Sequence, residues 1–169
     1  MLEHTGLDQV WFVVSPCNPL KQKQTLLEEH HRLAMVKIAI DDNPNFRASD
    51  IEFKLPQPSY TTHTLAYLSE LYPNKEFCLI MGGDNLESIE KWKNYHFILE
   101  NYAIYIYPRP DTDISKWLQM GNVHLTNAPL MDISSSFIRK QIAWGKSIRY
   151  ITPDVVIKYI EEMHFYKEE

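Results

Sequence analysis

Phe77-Cys78-Leu79-Ile80-Met81-Gly82-Gly83-Asp84 is the stretch on which the fold turns. Its five consecutive apolar residues are too few for a helix and fit a strand buried on both faces, the kind that fills parallel sheets. The run ends at two glycines and a carboxylate. Working outward, Val10-Trp11-Phe12-Val13-Val14 is a second β-branched and aromatic run, stopped at Ser15-Pro16. The segment 46–53 alternates like a strand, 102–107 forms another closed by Pro108-Arg109-Pro110, and Val123-His124-Leu125 a short one. Helical spacing of apolar residues appears over 26–40, ending before Asn43-Pro44, and around 61–71 after the proline-bearing Pro56-Gln57-Pro58-Ser59. It returns in one helix or two short ones carrying Leu86, Ile89, Trp92 and 97–99. Further helices are expected over 114–120, over 135–144 before Gly145, and over 155–163 behind Thr152-Pro153. Strands and helices alternating in this way imply an α/β fold, with a mostly parallel sheet and helices on both faces.

Composition narrows the class. The chain has 169 residues, 44% hydrophobic, with 17 basic and 22 acidic side chains and a net charge of −5. That is enough chain for one ordinary core, so a single domain over residues 1–169 is expected. No apolar run approaches a membrane span, and the start lacks a signal-peptide pattern, so no membrane partner and a cytoplasmic location are expected. Cys17 and Cys78 are too few for a disulfide framework and lack metal-ligand spacing. A mildly acidic chain has no basic stripe to neutralise a nucleic-acid backbone.

The start is unusual for such a fold. Met1-Leu2-Glu3-His4-Thr5-Gly6 reads as the last turn of a helix with a glycine C-cap, running straight into a strand. A strand and most of a helix are therefore expected to precede Met1. Self-association is a way to cover the gap that such a missing strand would leave, which makes a homo-oligomer a candidate assembly.

Ligands collect beyond the carboxyl ends of parallel strands, so the punctuation after each strand is where chemistry is sought. The first strand is followed by Ser15-Pro16-Cys17-Asn18-Pro19-Leu20-Lys21, presenting an amide and an ammonium. Gly82-Gly83-Asp84 allows close backbone approach and offers a carboxylate to sugar hydroxyls. Arg109, held between prolines, is a guanidinium suited to phosphate or carboxylate. Most informative is Asp132-Ile133-Ser134-Ser135-Ser136-Phe137-Ile138-Arg139. Three hydroxyls at a helix N-terminus, where backbone amides lack partners and the dipole is positive, make an anion site, with Arg139 one turn inside. Each feature has a plainer reading: one serine as a cap, Lys21, Arg109 and Arg139 as solvated charges, Asp84 as a cap, Trp92 as core. Four strand ends carrying such groups together favour a phosphate and sugar site. The histidines, including His30-His31 at a helix start, show no repeated metal spacing and are read as structural or surface residues, with no metal ligands among them. His4-Thr5-Gly6-Leu7 begins like an H-x-G-H phosphate motif, but its fourth residue is leucine and it precedes a strand.

With these residues together, the sequence resembles bacterial nicotinate-nucleotide adenylyltransferases of the nucleotidyltransferase superfamily over nearly its whole length. The similarity rests on P-x-N-P-x-K at 16–21, Pro58-Ser59-Tyr60-Thr61 with Thr64-Leu65, Gly83-Asp84 followed by Trp92, Arg109-Pro110, and Ile-Ser-Ser-Ser-Phe-Ile-Arg at 133–139. The resemblance implies a Rossmann-like three-layer αβα fold and transfer of AMP from ATP to nicotinate mononucleotide. The products would be deamido-NAD and pyrophosphate, with Mg2+ accompanying ATP. It implies that Ser134, Ser135, Ser136 and Arg139 hold ATP, and that Lys21 and Arg139 supply catalytic charge. Thr61, Gly83, Asp84, Trp92 and Arg109 would bind substrate: the Thr61 backbone the nicotinate carboxylate, Asp84 a ribose hydroxyl, and Trp92 the ring by stacking. The family's G-x-F-x-P-x-H-x-G-H motif, whose histidines bind ATP phosphates, is absent from these 169 residues. A sister enzyme acting on nicotinamide mononucleotide or another phosphorylated acceptor, and a non-catalytic nucleotide-binding protein, are the alternative readings.

Overall fold

A computed structural model describes residues 1–16 and 27–167. The chain forms two compact units, one built mainly from Asp50–Leu130 with Met1–Asp8, the other from Gln9–Val14, Leu27–Ser49 and Met131–Glu169.

The first unit holds strands β3 (Leu79–Gly82), β4 (Ile104–Tyr107) and β5 (Val123–Leu125), all parallel in the order β3-β4-β5. Leu79 pairs with Ile104, and Ile104 with Val123. Its helices are α2 (Thr61–Leu71), α3 (Gly83–Glu87) and α4 (Tyr95–Asn101). The core is aliphatic: Leu86, Ile89, Ile98, Ile104 and Ile106 are fully buried. Each contributes about 1.5–3 kcal/mol relative to exposure. Ile104 and Ile106 alternate with the half-buried Tyr105 and Tyr107, so β4 presents its aliphatic face to that core. Cys78 lies just before β3, where burial pushes its thiol above the ordinary value and keeps it protonated at neutral pH.

The second unit pairs β1 (Val10–Val13) with β2 (Phe46–Ser49) in parallel, Val10 opposite Phe46. It contains α1 (Glu29–Ala39), α5 (Ser135–Ala143) and α6 (Asp154–Glu162), packed around Ile148, Val156 and Ile160. Helix α5 is punctuated at both ends. The Ser134 hydroxyl accepts the Phe137 N–H at 3.1 Å. At the far end Gly145, with φ +66°, closes a Schellman motif in which Lys146 N–H donates to the Gln141 carbonyl and Gly145 N–H to the Ile142 carbonyl. Helix α6 ends the same way without glycine: His164 takes φ 55°, and Phe165 N–H donates to the Ile160 carbonyl at 3.1 Å.

The α/β class and parallel pairing hold, with the described strands divided between two sheets. Four local expectations change. Alternation over 46–53 is strand only to Ser49, and 51–54 becomes a 3₁₀ turn that buries Ile51 and Glu52 together, which an alternating strand could not do. Residues 114–120 form successive turns, not a helix. The Asp113 carboxylate accepts both the N–H and the hydroxyl of Ser115, and Ile114 and Trp117 are anchored in the core. Gly6 is not a helix C-cap: the 3₁₀ turn Leu2–His4 is closed by Thr5, whose hydroxyl donates to the Met1 carbonyl at 3.1 Å with extended backbone. No left-handed residue is then required. Helix α1 starts at Glu29, so Leu27 and Glu28 stand before the helix and not in it, while Leu26, the first residue of the expected span, lies outside the described residues.

Candidate active site

In the first unit, two glycines let β3 run directly into α3. A Cβ on Gly82 would overlap the Asp84 carboxylate, and one on Gly83 would stand 2.6 Å from the Thr112 hydroxyl oxygen. The backbone there is bare for a reason: the Asp84 and Arg109 side chains close over Gly82, with Arg109 Nε 3.9 Å from Asp84 Oδ1. Both side chains are substantially exposed, so this ion pair adds little stability and leaves both heads open to competition by a ligand. The Arg109 guanidinium also lies 5.4 Å from the Tyr107 ring centroid. Asp84 is not the helix cap, a position held by Gly82. Sequence reasoning missed Thr112, whose hydroxyl donates to the Arg109 carbonyl at 3.0 Å and so fixes the turn after β4 against Gly83.

Gly83→Ala is expected to break that bond, lowering stability by about 1–3 kcal/mol, the usual range for overfilling a packed site. Thermal melting and substrate KM measure it, and a variant matching the parent in both would show that Thr112 imposes no constraint.

Helix α2 begins at Thr61 with Tyr60 in the cap position and no side-chain cap bond. The His63 and Thr64 amides donate to the Tyr60 carbonyl, and the Thr61 and Thr62 amides, with no partner among the described residues, are the open donors of a positive helix end. The Thr62 hydroxyl donates to the Lys93 carbonyl at 2.6 Å, tying that helix end to the segment carrying Trp92. Lys93 Nζ lies 4.4 Å from the Tyr60 ring centroid, adding a cation to the same neighbourhood. Trp92 is half-buried against the core, so part of its ring is packing and part remains accessible. Beneath the helix, the buried Glu52 carboxylate accepts the Thr64 hydroxyl at 2.7 Å through one oxygen. Its other oxygen has no hydrogen-bond partner among the described residues. Neither Lys93 nor Glu52 was singled out from sequence. A lysine beside a tryptophan was the available clue for the first, whereas a carboxylate on an alternating strand gave none for the second.

In the second unit, Ser134 is spent as the α5 cap, so the plain reading of one serine holds for that residue. Ser135 and Ser136 are exposed, and Arg139 reaches back so that Nη2 donates to Ser136 Oγ at 3.1 Å. With Phe137 and Ile138 amides bound to Ser134, the amides of Ser135 and Ser136 have no partner among the described residues and stand beside two hydroxyls and a guanidinium. That group can clamp a polyanion. Lys21 lies outside the described residues. Among the described residues, one group of side chains has metal-ligand geometry: Glu28, His30 and His31.

Comparison with known proteins decides the family. The chain is 51% identical to a protein of Flavobacterium psychrophilum named probable nicotinate-nucleotide adenylyltransferase, an alignment covering 99% of this chain and 88% of that one. The chain belongs to the nicotinate-nucleotide adenylyltransferase family. It is thus a nucleotidyltransferase. A relative from Flavobacterium johnsoniae with the same name is 50% identical, again over 99% of this chain and 88% of its own. The family model described as cytidylyltransferase-like matches residues 1–141. Among solved structures, Plasmodium falciparum nicotinic acid mononucleotide adenylyltransferase complexed with NaAD superposes with a TM-score of 0.79 at 26% identity, covering 95% of this chain and 83% of that one. The adenylyltransferase fold of those structures is the Rossmann-like α/β architecture expected from the sequence.

Proposed function

We propose that the protein transfers the adenylyl group of ATP to nicotinate mononucleotide, releasing pyrophosphate and forming deamido-NAD. The observation that carries the choice of acceptor is the start of α2: an uncapped helix end with two open amides, held beside Trp92 by the Thr62–Lys93 hydrogen bond. A planar ring bearing a carboxylate matches that pair. The ring lies on the accessible part of Trp92 and the carboxylate accepts the Thr61 amide, while Asp84 accepts from a ribose hydroxyl and Arg109 faces the acceptor's phosphate. Gly83 keeps the backbone open to approach.

On the ATP side, Ser134 sets the end of α5, and Ser135, Ser136 and Arg139 donate to the phosphates. An oxygen of the acceptor phosphate forms a bond to the α-phosphorus as the bond to the pyrophosphate oxygen breaks, in line and without a covalent enzyme intermediate. Charge builds on the phosphate oxygens, and the residues contribute by positioning the phosphates and by donating hydrogen bonds to them. Lys21 adds positive charge to the same step. ATP enters as its Mg2+ complex. The hydroxyls and guanidinium around α5 are donors to phosphate oxygens and do not form a carboxylate cage, which fits an ion carried in by the substrate. No helix among the described residues is long and apolar enough to cross a membrane, and both substrates are charged nucleotides, so we place the activity in the cytoplasm.

The test is to incubate the protein with ATP labelled in its α-phosphate and with nicotinate mononucleotide. Label in deamido-NAD with one equivalent of pyrophosphate is expected. Label passing only to another acceptor would overturn the assignment of the α2 end, and ATP binding without transfer would favour a nucleotide-binding protein.

A further inference from the structure

Outside the groups assigned to ATP and the acceptor, we propose that Glu28, His30 and His31 form a binding site for a divalent ion of the zinc class. One donor atom from each residue lies within 4.8 Å of the others. His30 Nε2 already stands 3.4 Å from Glu28 Oε2. Two adjacent side chains of a helix interior diverge by about 100°, yet the two imidazole centroids here are 4.2 Å apart. Their position explains it: they occupy the first turn of α1, where side chains lean towards the helix start, and Glu28 is the residue in front of that turn.

A second feature orients the site. His31 Nδ1 is 2.9 Å from the Tyr159 hydroxyl, on α6. That hydrogen bond leaves Nε2 for an ion. With an ion on Nε2, Nδ1 carries the proton and donates to Tyr159, the outer-sphere arrangement that fixes a metal-binding imidazole. Phe165 packs edge-on against the same ring at 4.8 Å, placed there by the left-handed His164 that closes α6. His31 is therefore held in place from two sides.

The donor set selects the ion. Two imidazoles and one carboxylate suit Zn2+, and also Ni2+, Cu2+ or Co2+, at distances of about 2.0–2.2 Å that require only modest closure of the present donors. Mg2+ prefers an all-oxygen, largely hydrated shell and does not compete well here. Glu28 and His30 side chains are 76% and 61% exposed, which leaves a coordination position for water or a further ligand. The bound ion would couple the start of α1 to α6 through His31 and Tyr159, and it would stabilise the second unit without touching Ser135, Ser136 or Arg139.

Equilibrium dialysis of the full chain with Zn2+ in excess Mg2+, together with the visible spectrum of the Co2+-loaded protein, tests this. One ion per chain is expected, with imidazole-type Co2+ absorption and a higher melting temperature on adding Zn2+. Glu28→Gln and His30→Asn change exposed side chains and should melt as the parent does without metal, while each weakens Zn2+ binding at least about tenfold. Tyr159→Phe keeps the ring but removes the outer-sphere partner, and should weaken binding by about 10- to 100-fold. Equal Zn2+ affinity in parent, Glu28→Gln and His30→Asn proteins would overturn the site, as would displacement of the ion by millimolar Mg2+.

Discussion

Arg139→Ala is expected to lower turnover by about 10²–10³-fold, the scale for losing one donor aimed at developing charge, while leaving the fold nearly as stable. In the free protein the guanidinium sits at the positive end of α5, where the helix dipole disfavours a cation, and it donates to the exposed Ser136 hydroxyl. Its value must therefore come from an anion. A polyphosphate reverses the sign of the interaction, and the planar fork can hold two oxygens at once. Arg139→Lys should recover only part of the loss, because it restores a point charge without the fork. Tyr166 supplies an internal check. Burial raises its hydroxyl pKa, and the Arg139 and Arg32 charges pull it back down. Removing Arg139 should move the Tyr166 titration further up, visible by ultraviolet absorbance, if the charge has gone and the surroundings remain. A variant that melts several degrees lower yet keeps normal ATP kinetics would instead make Arg139 a structural residue.

What could be read in the sequence follows how local each determinant is. The α5 start was legible because Ser134 caps its own helix and Arg139 is one turn away, so spacing alone places them together. The α2 span, Thr61–Leu71, was legible because Pro56-Gln57-Pro58-Ser59 bars helix before it. The ends of strands were less so. Phe77 and Cys78 are as apolar as Leu79, but β3 begins where the Leu79 N–H meets the Ala103 carbonyl, a fact belonging to a partner 24 positions away in sequence. Residues 114–120 have helical spacing, and they fail as a helix because Asp113 turns the chain and two large side chains are claimed by the core. Lys93 over Tyr60, Thr112 against Gly83 and Glu52 under Thr64 join residues far apart in the chain. Their residue types gave no sign of the pairing.

Kinetic preference for nicotinate over nicotinamide mononucleotide is expected at about 10²–10³-fold in kcat/KM, and it follows from the donors at the α2 end. A charge-assisted hydrogen bond contributes about 1.5–3 kcal/mol. The positive helix end adds about 0.3–1 kcal/mol for a carboxylate. The carboxamide forfeits both, and its NH₂ group can turn towards amides that are themselves donors, so repulsion adds to the lost attraction. Because the Thr61 and Thr62 amides lack a side-chain cap, no cap among the described residues has to be displaced for the acid to bind. Lys93 lies close to the same end and strengthens the bias, so Lys93→Ala should narrow the preference several-fold while leaving ATP affinity unchanged. Raising salt should reduce the Lys93 contribution more than that of the backbone amides, which carry fixed dipoles instead of a screened full charge. Steady-state kinetics with both acceptors at two ionic strengths measures all of this. Equal kcat/KM for the acid and the amide would mean that the α2 end does not bind the pyridine substituent, and Trp92 stacking would then be left to recognise a ring without reading what is attached to it.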